Sequence, residues 1–426
     1  MNHTVLRSAS LMIAFLFFFG CKETPATAQS NGDPIIEVET HAGDFSAEPK
    51  LVKSRAGKIY LSWITRNADA SATLHASQFI NQEWTKKTAI AKGTDWFINW
   101  ADFPTMAIGD AEEMAASFLA KSGAGTYAYD VKITTSTDGG TSWNQAFSPH
   151  TDGTETEHGF VSLMPWTTNH FMAVWLDGRN TGSGGHDGHG RGAMTLRSAL
   201  FDVSGNITKA SELDNKTCDC CQTAAVRTGP ASMLVAYRDR SDNEIRDIAT
   251  VRYEGGVWSA PEIVHADQWQ IAGCPVNGPA LDSHNNTVAI AWFTAANDQP
   301  RVLLALSHDK GRTFSPPITI DEGAPLGRVS VSMLDNKTAA VSWLEKTEEA
   351  AEILVRTVKG DTAEPLVKSE PVLISSTITS RKSGFPQMTS NDDFAVFAWT
   401  DASADDTTII RSAYIKKAWL TSLSVK

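Results

Sequence analysis

Phe394-Ala-Val-Phe-Ala-Trp399 is an apolar, β-prone run that closes on an indole, and the chain keeps repeating it. Ile59-Tyr-Leu-Ser-Trp63, Ala115-Ala-Ser-Phe118, Phe171-Met-Ala-Val-Trp175, Leu234-Val-Ala-Tyr237, Val288-Ala-Ile-Ala-Trp292 and Ala339-Ala-Val-Ser-Trp343 are the other copies. Their closing aromatics stand 55, 57, 62, 55, 51 and 56 residues apart. A period of that size along a whole chain marks a repeat architecture, in which each unit buries its apolar face on the next.

About 14 residues before each aromatic lies a small-residue or Pro-containing segment: Phe103-Pro-Thr-Met106, Phe160-Val-Ser-Leu163, Gln222-Thr-Ala-Ala225, Pro275-Val-Asn-Gly-Pro279, Arg328-Val-Ser-Val331 and Phe385-Pro-Gln-Met388. Small residues suit an innermost strand, where strands crowd about an axis. A third run follows each aromatic, as at Met194 to Phe201 or Val302 to Ser307, then a fourth, as at Ile318-Thr-Ile320. Four antiparallel strands per repeat describe a propeller blade. The expected fold is all-β: one propeller of seven four-stranded blades, with six as the alternative. The last repeat lacks a fourth strand, and Ile35-Ile36-Glu37-Val38, ahead of the first repeat, is expected to supply it and leave no open edge.

Composition agrees. Of 426 residues 42% are hydrophobic and 20% charged, enough apolar material for a core. The formal net charge of −12 argues against nucleic acid or an anionic membrane surface as the main partner. Length alone would suggest two or three domains, but one ring needs no second core.

The N-terminus reads as a processing signal. Arg7 precedes the apolar run Leu11 to Phe19, too short to span a bilayer and of signal-peptide length. It ends in Phe18-Phe19-Gly20-Cys21, which resembles a bacterial lipoprotein signal. The expected layout is therefore a signal peptide over 1–20, a flexible tether over 21–33 that begins at a lipidated Cys21, and the propeller over 34–426. That implies a lipid-anchored protein of the bacterial cell envelope, in the periplasm or at the outer membrane, or a secreted one without lipidation.

Two turns carry a further resemblance. Ser136-Thr-Asp138-Gly-Gly140-Thr-Ser142-Trp143 and Ser307-His-Asp309-Lys-Gly311-Arg-Thr313-Phe314 resemble the Asp-box, or BNR repeat, of sialidase-like β-propellers; Gly255-Gly256-Val257-Trp258 resembles a decayed copy. The Asp carboxylate caps a tight turn and Gly supplies the positive φ. Sialidases are six-bladed and use an arginine triad opened by an Arg-Ile-Pro-type motif, a Tyr paired with a Glu, and an Asp acid/base. No Arg-Ile-Pro occurs here. Tyr60, Tyr127, Tyr129, Tyr253 and Tyr414 fall inside predicted strands, and Tyr237 holds the repeat's structural aromatic position. The resemblance thus implies a fold and a glycan-handling surface, with no catalytic residue carried across.

Strand alternation places two sets of connections on one face: fourth strand into the next inner strand, and second strand into third. That face gathers Trp96, Trp100 and Asp102, Glu157 and His158, Asp177 and Arg179, Arg238 and Asp239, Arg240, Trp269, Arg328 and Arg381. Acids, guanidinium groups and indoles converging there suit a polar or anionic ligand such as a sugar acid, a sulfated glycan or a phosphorylated compound. As a hydrolase, the chain would draw its acids from Asp102, Glu157 and Asp239. Ligand recognition would fall to Trp100, His158, Arg179, Arg238, Arg240, Arg328, Arg381 and Trp269. The alternative is a non-catalytic propeller that binds a glycan, metal or protein on the same face, and plain salt bridging would equally explain the alternating charges of Arg238 to Arg246.

Cys218-Asp-Cys220-Cys221 and Cys274 lead into adjacent repeats. In an exported protein they are expected to pair, for instance Cys220 with Cys221 and Cys218 with Cys274. A thiolate site for Cu(I) or Zn with His265 is the alternative. His186 and His189 could ligate a metal only with a third ligand from elsewhere. No cofactor is required by these readings, no nucleic-acid partner is expected, and a monomer is.

Overall fold

The recurrent aromatic runs are the second strands of seven sheets. The computed structural model describes Met1 and residues 34–182, 192–361, 365–403 and 407–425. Residues 34–426 make one unit, and the inner strands of successive sheets touch all the way round, so the sheets close a ring. Blade 1 comprises Ser46–Lys53, Ile59–Arg66 and Ala72–Ile80, with an outer edge split between Glu83–Trp84 and Thr88–Gly93. Blade 2 has three strands, Met106–Ile108, Met114–Lys121 and Tyr129–Ser136. Blade 3 comprises His158–Thr167, His170–Asp177, Met194–Asp202 and Ile207–Thr217. Blade 4 has Ala224–Gly229, Ser232–Arg238 and Ile248–Glu254, edged by Val257–Trp258 and Glu262–Ile263.

Blade 5 comprises Ala280–His284, Thr287–Thr294, Arg301–Ser307 and Ile318–Thr319. Blade 6 has Pro325–Met333, Thr338–Lys346 and Ala351–Lys359, edged by Val367–Lys368 and Val372–Thr377. Blade 7 runs Gln387–Ser390, Phe394–Ala402 and Thr408–Lys416, and Ile35–Val38 completes it in the register Ile35 opposite Ile415. The expected closure by the N-terminal strand is what is found. Blade 2 is the exception to the four-strand expectation: its outer edge shrinks to one bridge between Ile133 and Phe147. The signal and tether readings, Cys21 included, and the His186 and His189 run lie outside the described residues.

Trp63, Trp175, Trp292, Trp343 and Trp399 are among the largest fully buried side chains and join neighbouring blades. Truncating any one to Ala should cost about 3–5 kcal/mol, by lost transfer energy plus the cavity left. Three also send their indole N–H to a carboxylate at the loop face: Trp175 to Asp177 at 2.8 Å, Trp292 to Asp267 at 2.7 Å and Trp343 to Glu345 at 2.6 Å.

The two resembling turns share one construction. Asp138 accepts from the Ser142 N–H at 2.9 Å and hydroxyl at 2.6 Å, while Asp309 accepts from the Thr313 N–H at 2.9 Å and hydroxyl at 2.7 Å. Gly140 and Gly311 take φ of +84° and +81°, where a Cβ would be strained. The inner strands line an axial channel of about 810 Å³.

Candidate functional site

On the loop face, the lead-in to blade 2 crosses the axis and caps the channel. The carbonyl of Ala101 accepts from Gln222 Nε2 of blade 4 at 2.6 Å, and Gln222 Oε1 accepts from the Gly278 N–H ahead of blade 5 at 3.0 Å. The Trp100 ring stacks on Phe385 of blade 7, with centroids 5.6 Å apart. Phe103 leans on the same Phe385 at 5.6 Å.

Three cations surround these rings. The Arg328 guanidinium lies 4.9 Å and the Arg381 guanidinium 5.7 Å from the Trp100 centroid, and Lys50 Nζ lies 5.5 Å from Phe103. Among the described residues no carboxylate pairs with any of the three. Arg328 donates instead to the Ser383 hydroxyl at 2.7 Å and the Gly384 carbonyl at 2.9 Å. Burial, with Arg381 alongside, brings Arg328 down to about 10, and burial brings Lys50 down to about 8. Positive charge left uncompensated in a chain of net charge −12 is a standing attraction for an anion.

Beneath the cap, Tyr129 opens its strand with its phenol between two acids. Its Oη lies 2.7 Å from Glu157 Oε1 and 3.0 Å from Asp102 Oδ2, and Asp102 Oδ1 accepts from the Phe160 N–H at 2.7 Å. A phenol has one proton, so both contacts are favourable only if one of the two acids is protonated and donates to the phenol oxygen, and Asp102 is the one placed for it. Burial drives that: it lifts Asp102 to about 7, with the Glu157 charge adding to the rise against the Phe160 N–H. Burial and both acids hold Tyr129 well above its ordinary value. Asp102 also lines the channel. Gly159 makes the arrangement possible, since a Cβ there would fall 1.9 Å from Asp102 Oδ2.

The structure thus brings two of the three candidate acids, Asp102 and Glu157, together, and Tyr129 is the partner that sequence reasoning set aside as a strand residue. Tyr127, also assigned to a strand, sits in a turn. Asp239 is not brought to this pair. It sits near Asp214 and Lys216 of blade 3 and Asp247 ahead of the third strand of blade 4, and burial raises it to about 6.

Several expected ligand contacts are built into the protein instead. His158 is 0% exposed, stacked at 4.0 Å on His150 with its Nδ1 3.2 Å from the Tyr129 carbonyl, so it has no face for a ligand. Burial and the His158 charge bring His150 down to about 4. Arg179 is spent on Asp177, at 2.6 and 2.7 Å, and on Asp152 at 3.1 Å. Arg238 is 1% exposed and donates to the carbonyls of Asn277, Arg246 and Phe293. Trp269 is core, packed under Arg238 and against Phe293. Arg240 is engaged by Glu244 at 2.8 Å and Asp219 at 3.3 Å, which is the plain salt-bridge reading of that run. Of the eight expected ligand contacts, Trp100, Arg328 and Arg381 remain at the cap.

The cysteines are not bridged. Cys218, Cys220 and Cys221 are buried thiols, and Cys274 is an exposed thiol that reaches Cys220. The three buried sulfurs lie within 4.8 Å of one another, with Cys218 3.6 Å from Cys221, Cys274 reaches Cys220, and neither of the two bonds expected above is formed. Burial would raise the Cys218 thiol, but hydrogen bonds from Cys220 and Cys221 and the guanidinium groups of Arg246 and Arg238 outweigh it and hold it well below its ordinary value. His265 does not join the thiols; its Nδ1 lies 2.7 Å from Asp267.

No family model and no curated protein matches the chain. Solved structures share its architecture. An ulvan lyase of polysaccharide lyase family PL25, bound to -[GlcA(1-4)Rha3S]-, aligns with a TM-score of 0.54 at 12% identity over 89% of this chain and 96% of that one. A protein of unknown function from Dyadobacter fermentans DSM 18053 aligns at 0.50 with 12% identity, over 90% and 97% of the two chains. A Trypanosoma rangeli sialidase reaches 0.46 at 11% identity, over 91% of this chain and 61% of its own. Likeness at this identity establishes the propeller fold and transfers no residue roles.

Proposed function

We propose that the protein binds an acidic saccharide at the capped mouth of its channel. The exposed part of the half-buried Trp100 would pack on sugar C–H groups, and Lys50, Arg328 and Arg381 would meet the ligand's negative charge. The observation that carries this reading is the absence of any carboxylate partner for those three cations among the described residues. The acidic saccharide in the ulvan lyase neighbour is a ligand of the same charge class. The location proposed from the N-terminal sequence is the cell envelope, with a lipid on Cys21; a Cys21→Ala chain that still takes up labelled fatty acid would refute the anchor.

A second reading, turnover, is favoured by one observation: Asp102 is a channel-lining carboxyl poised near neutrality. In that reading the glycosidic C–O bond breaks as Asp102 gives its proton to the leaving oxygen, water adds its oxygen to the sugar carbon, and the proton that water loses passes through Glu157 and Tyr129 to reload Asp102. The test is a binding panel of uronate, sulfated and neutral oligosaccharides, followed by product analysis on the binders. Binding of acidic members alone supports the proposal, and equal binding of neutral ones refutes it. Product formation that Asp102→Asn abolishes while affinity holds would establish turnover.

A further inference from the structure

Four sulfurs meet at the seam between blades 4 and 5 and have no part in the saccharide reading. Those of Cys218, Cys220 and Cys221 lie within 4.8 Å of one another, and Cys274, from the lead-in to blade 5, reaches Cys220. Cys218 and Cys221 have C-x-x-C spacing and stand 3.6 Å apart. A disulfide needs about 2.05 Å. Two thiolates on one tetrahedral Zn²⁺, at about 2.3 Å each, stand about 3.8 Å apart. The turn Cys218-Asp-Cys220-Cys221 achieves this by turning Asp219 away to Arg240, at 3.3 Å.

The surroundings fit a charged centre. Four thiolates around a dication, or three around Cu⁺, leave a net charge of −2. Two buried guanidinium groups bear on it: Arg246, whose Nη1 is 3.2 Å from Cys218 Sγ, and Arg238, held by the carbonyls of Asn277, Arg246 and Phe293, whose charge also acts on Cys218. Glu244 takes the outer side of Arg246 at 2.7 Å.

We propose that Cys218, Cys220, Cys221 and Cys274 bind one thiophilic metal ion, Zn²⁺ or Cu⁺, which clips the lead-in of blade 5 to that of blade 4. Thiolate sulfur selects these ions; the three buried thiols supply a trigonal set, and Cys274, already against Cys220, would be the fourth ligand of a tetrahedron.

The test uses the full chain, reduced and held without oxygen. Co²⁺ is titrated first as a spectroscopic probe, then Zn²⁺ and Cu⁺ against chromogenic chelators. The expected result is one ion per chain, a thiolate-to-cobalt charge-transfer band with tetrahedral d–d bands, and a rise in melting temperature with metal. Displacement of Co²⁺ by only one of the two ions identifies which it takes. Cys274→Ser, at an exposed position, should fold normally yet weaken binding tenfold or more. Cys220→Ser should abolish the tetrahedral spectrum. Arg381→Ala should leave stoichiometry unchanged, which separates this site from the saccharide reading. No binding at one equivalent with four titratable thiols, or loss of those thiols to two disulfides on purification without reductant, would overturn the proposal.

Discussion

The arginines at the cap and those at the rim of blades 3 and 4 are alike in sequence and opposite in circumstance. At the rim, Arg179, Arg197, Arg240 and Arg246 each meet one or more carboxylates, among them Asp177, Glu212 and Glu244. At the cap, Arg328 and Arg381 both meet an indole, and Arg328 also meets backbone oxygens. A paired guanidinium already has its anion and serves the fold; an unpaired one beside a ring face is ready for an anion from outside. Function should therefore follow the cap, and stability the rim.

That contrast can be broken at its strongest point by Arg328→Ala combined with Arg381→Ala. Two charge-assisted hydrogen bonds to a ligand are lost at about 1.5–3 kcal/mol each, so affinity for an acidic saccharide should fall by about 100-fold or more in calorimetric titration. The rim counterpart is Asp177→Ala. It leaves Arg179 and Arg197 without their buried partner and the Trp175 N–H without its acceptor, and should cost about 3 kcal/mol or more in denaturant unfolding, with affinity unchanged.

Asp102→Asn sharpens the comparison through pH. The folded state raises this carboxyl to about 7, so its stabilising contribution is complete below the unfolded value near 4 and is lost as pH rises through 7. Asn does not titrate. The stability of the variant relative to the natural chain should thus grow from pH 4 to 8, by about 2 kcal/mol or more. A difference that stays flat across that range would refute the protonated Asp102. The smallest effect belongs to Arg240→Ala: under about 1 kcal/mol of stability and a change in affinity within twofold. A large loss of binding there would move the site from the cap to the rim.

The repeat was legible because burial imposes it. Each of the seven aromatic runs is a second strand, and Ile35–Val38 closes the ring because an unpaired edge needs covering. The face of each loop was legible too, since strand alternation sets it, and Asp102, Glu157, Arg328 and the cysteines lie where it put them. Depth was not legible. Arg238 and His158 sit at strand ends on the expected face but below its surface, because carbonyls and acids from other blades enclose them. Tyr129 escaped notice because its role depends on a parallel bridge to Glu157 across a blade boundary. Lys50 escaped for the same reason: its ring partner, Phe103, belongs to the next blade.

The central claim is that the cap's unpaired cations are the ligand's partners. The most direct test is calorimetric titration of one acidic oligosaccharide, and of its neutral counterpart, into the natural chain and into Arg381→Ala from pH 6 to 10. The account predicts that only the acidic ligand binds, that affinity weakens as pH passes about 8 and Lys50 loses its proton, and that Arg381→Ala weakens it tenfold or more. Equal affinity for the neutral sugar, or an Arg381→Ala chain that binds as tightly as the natural one, would contradict it.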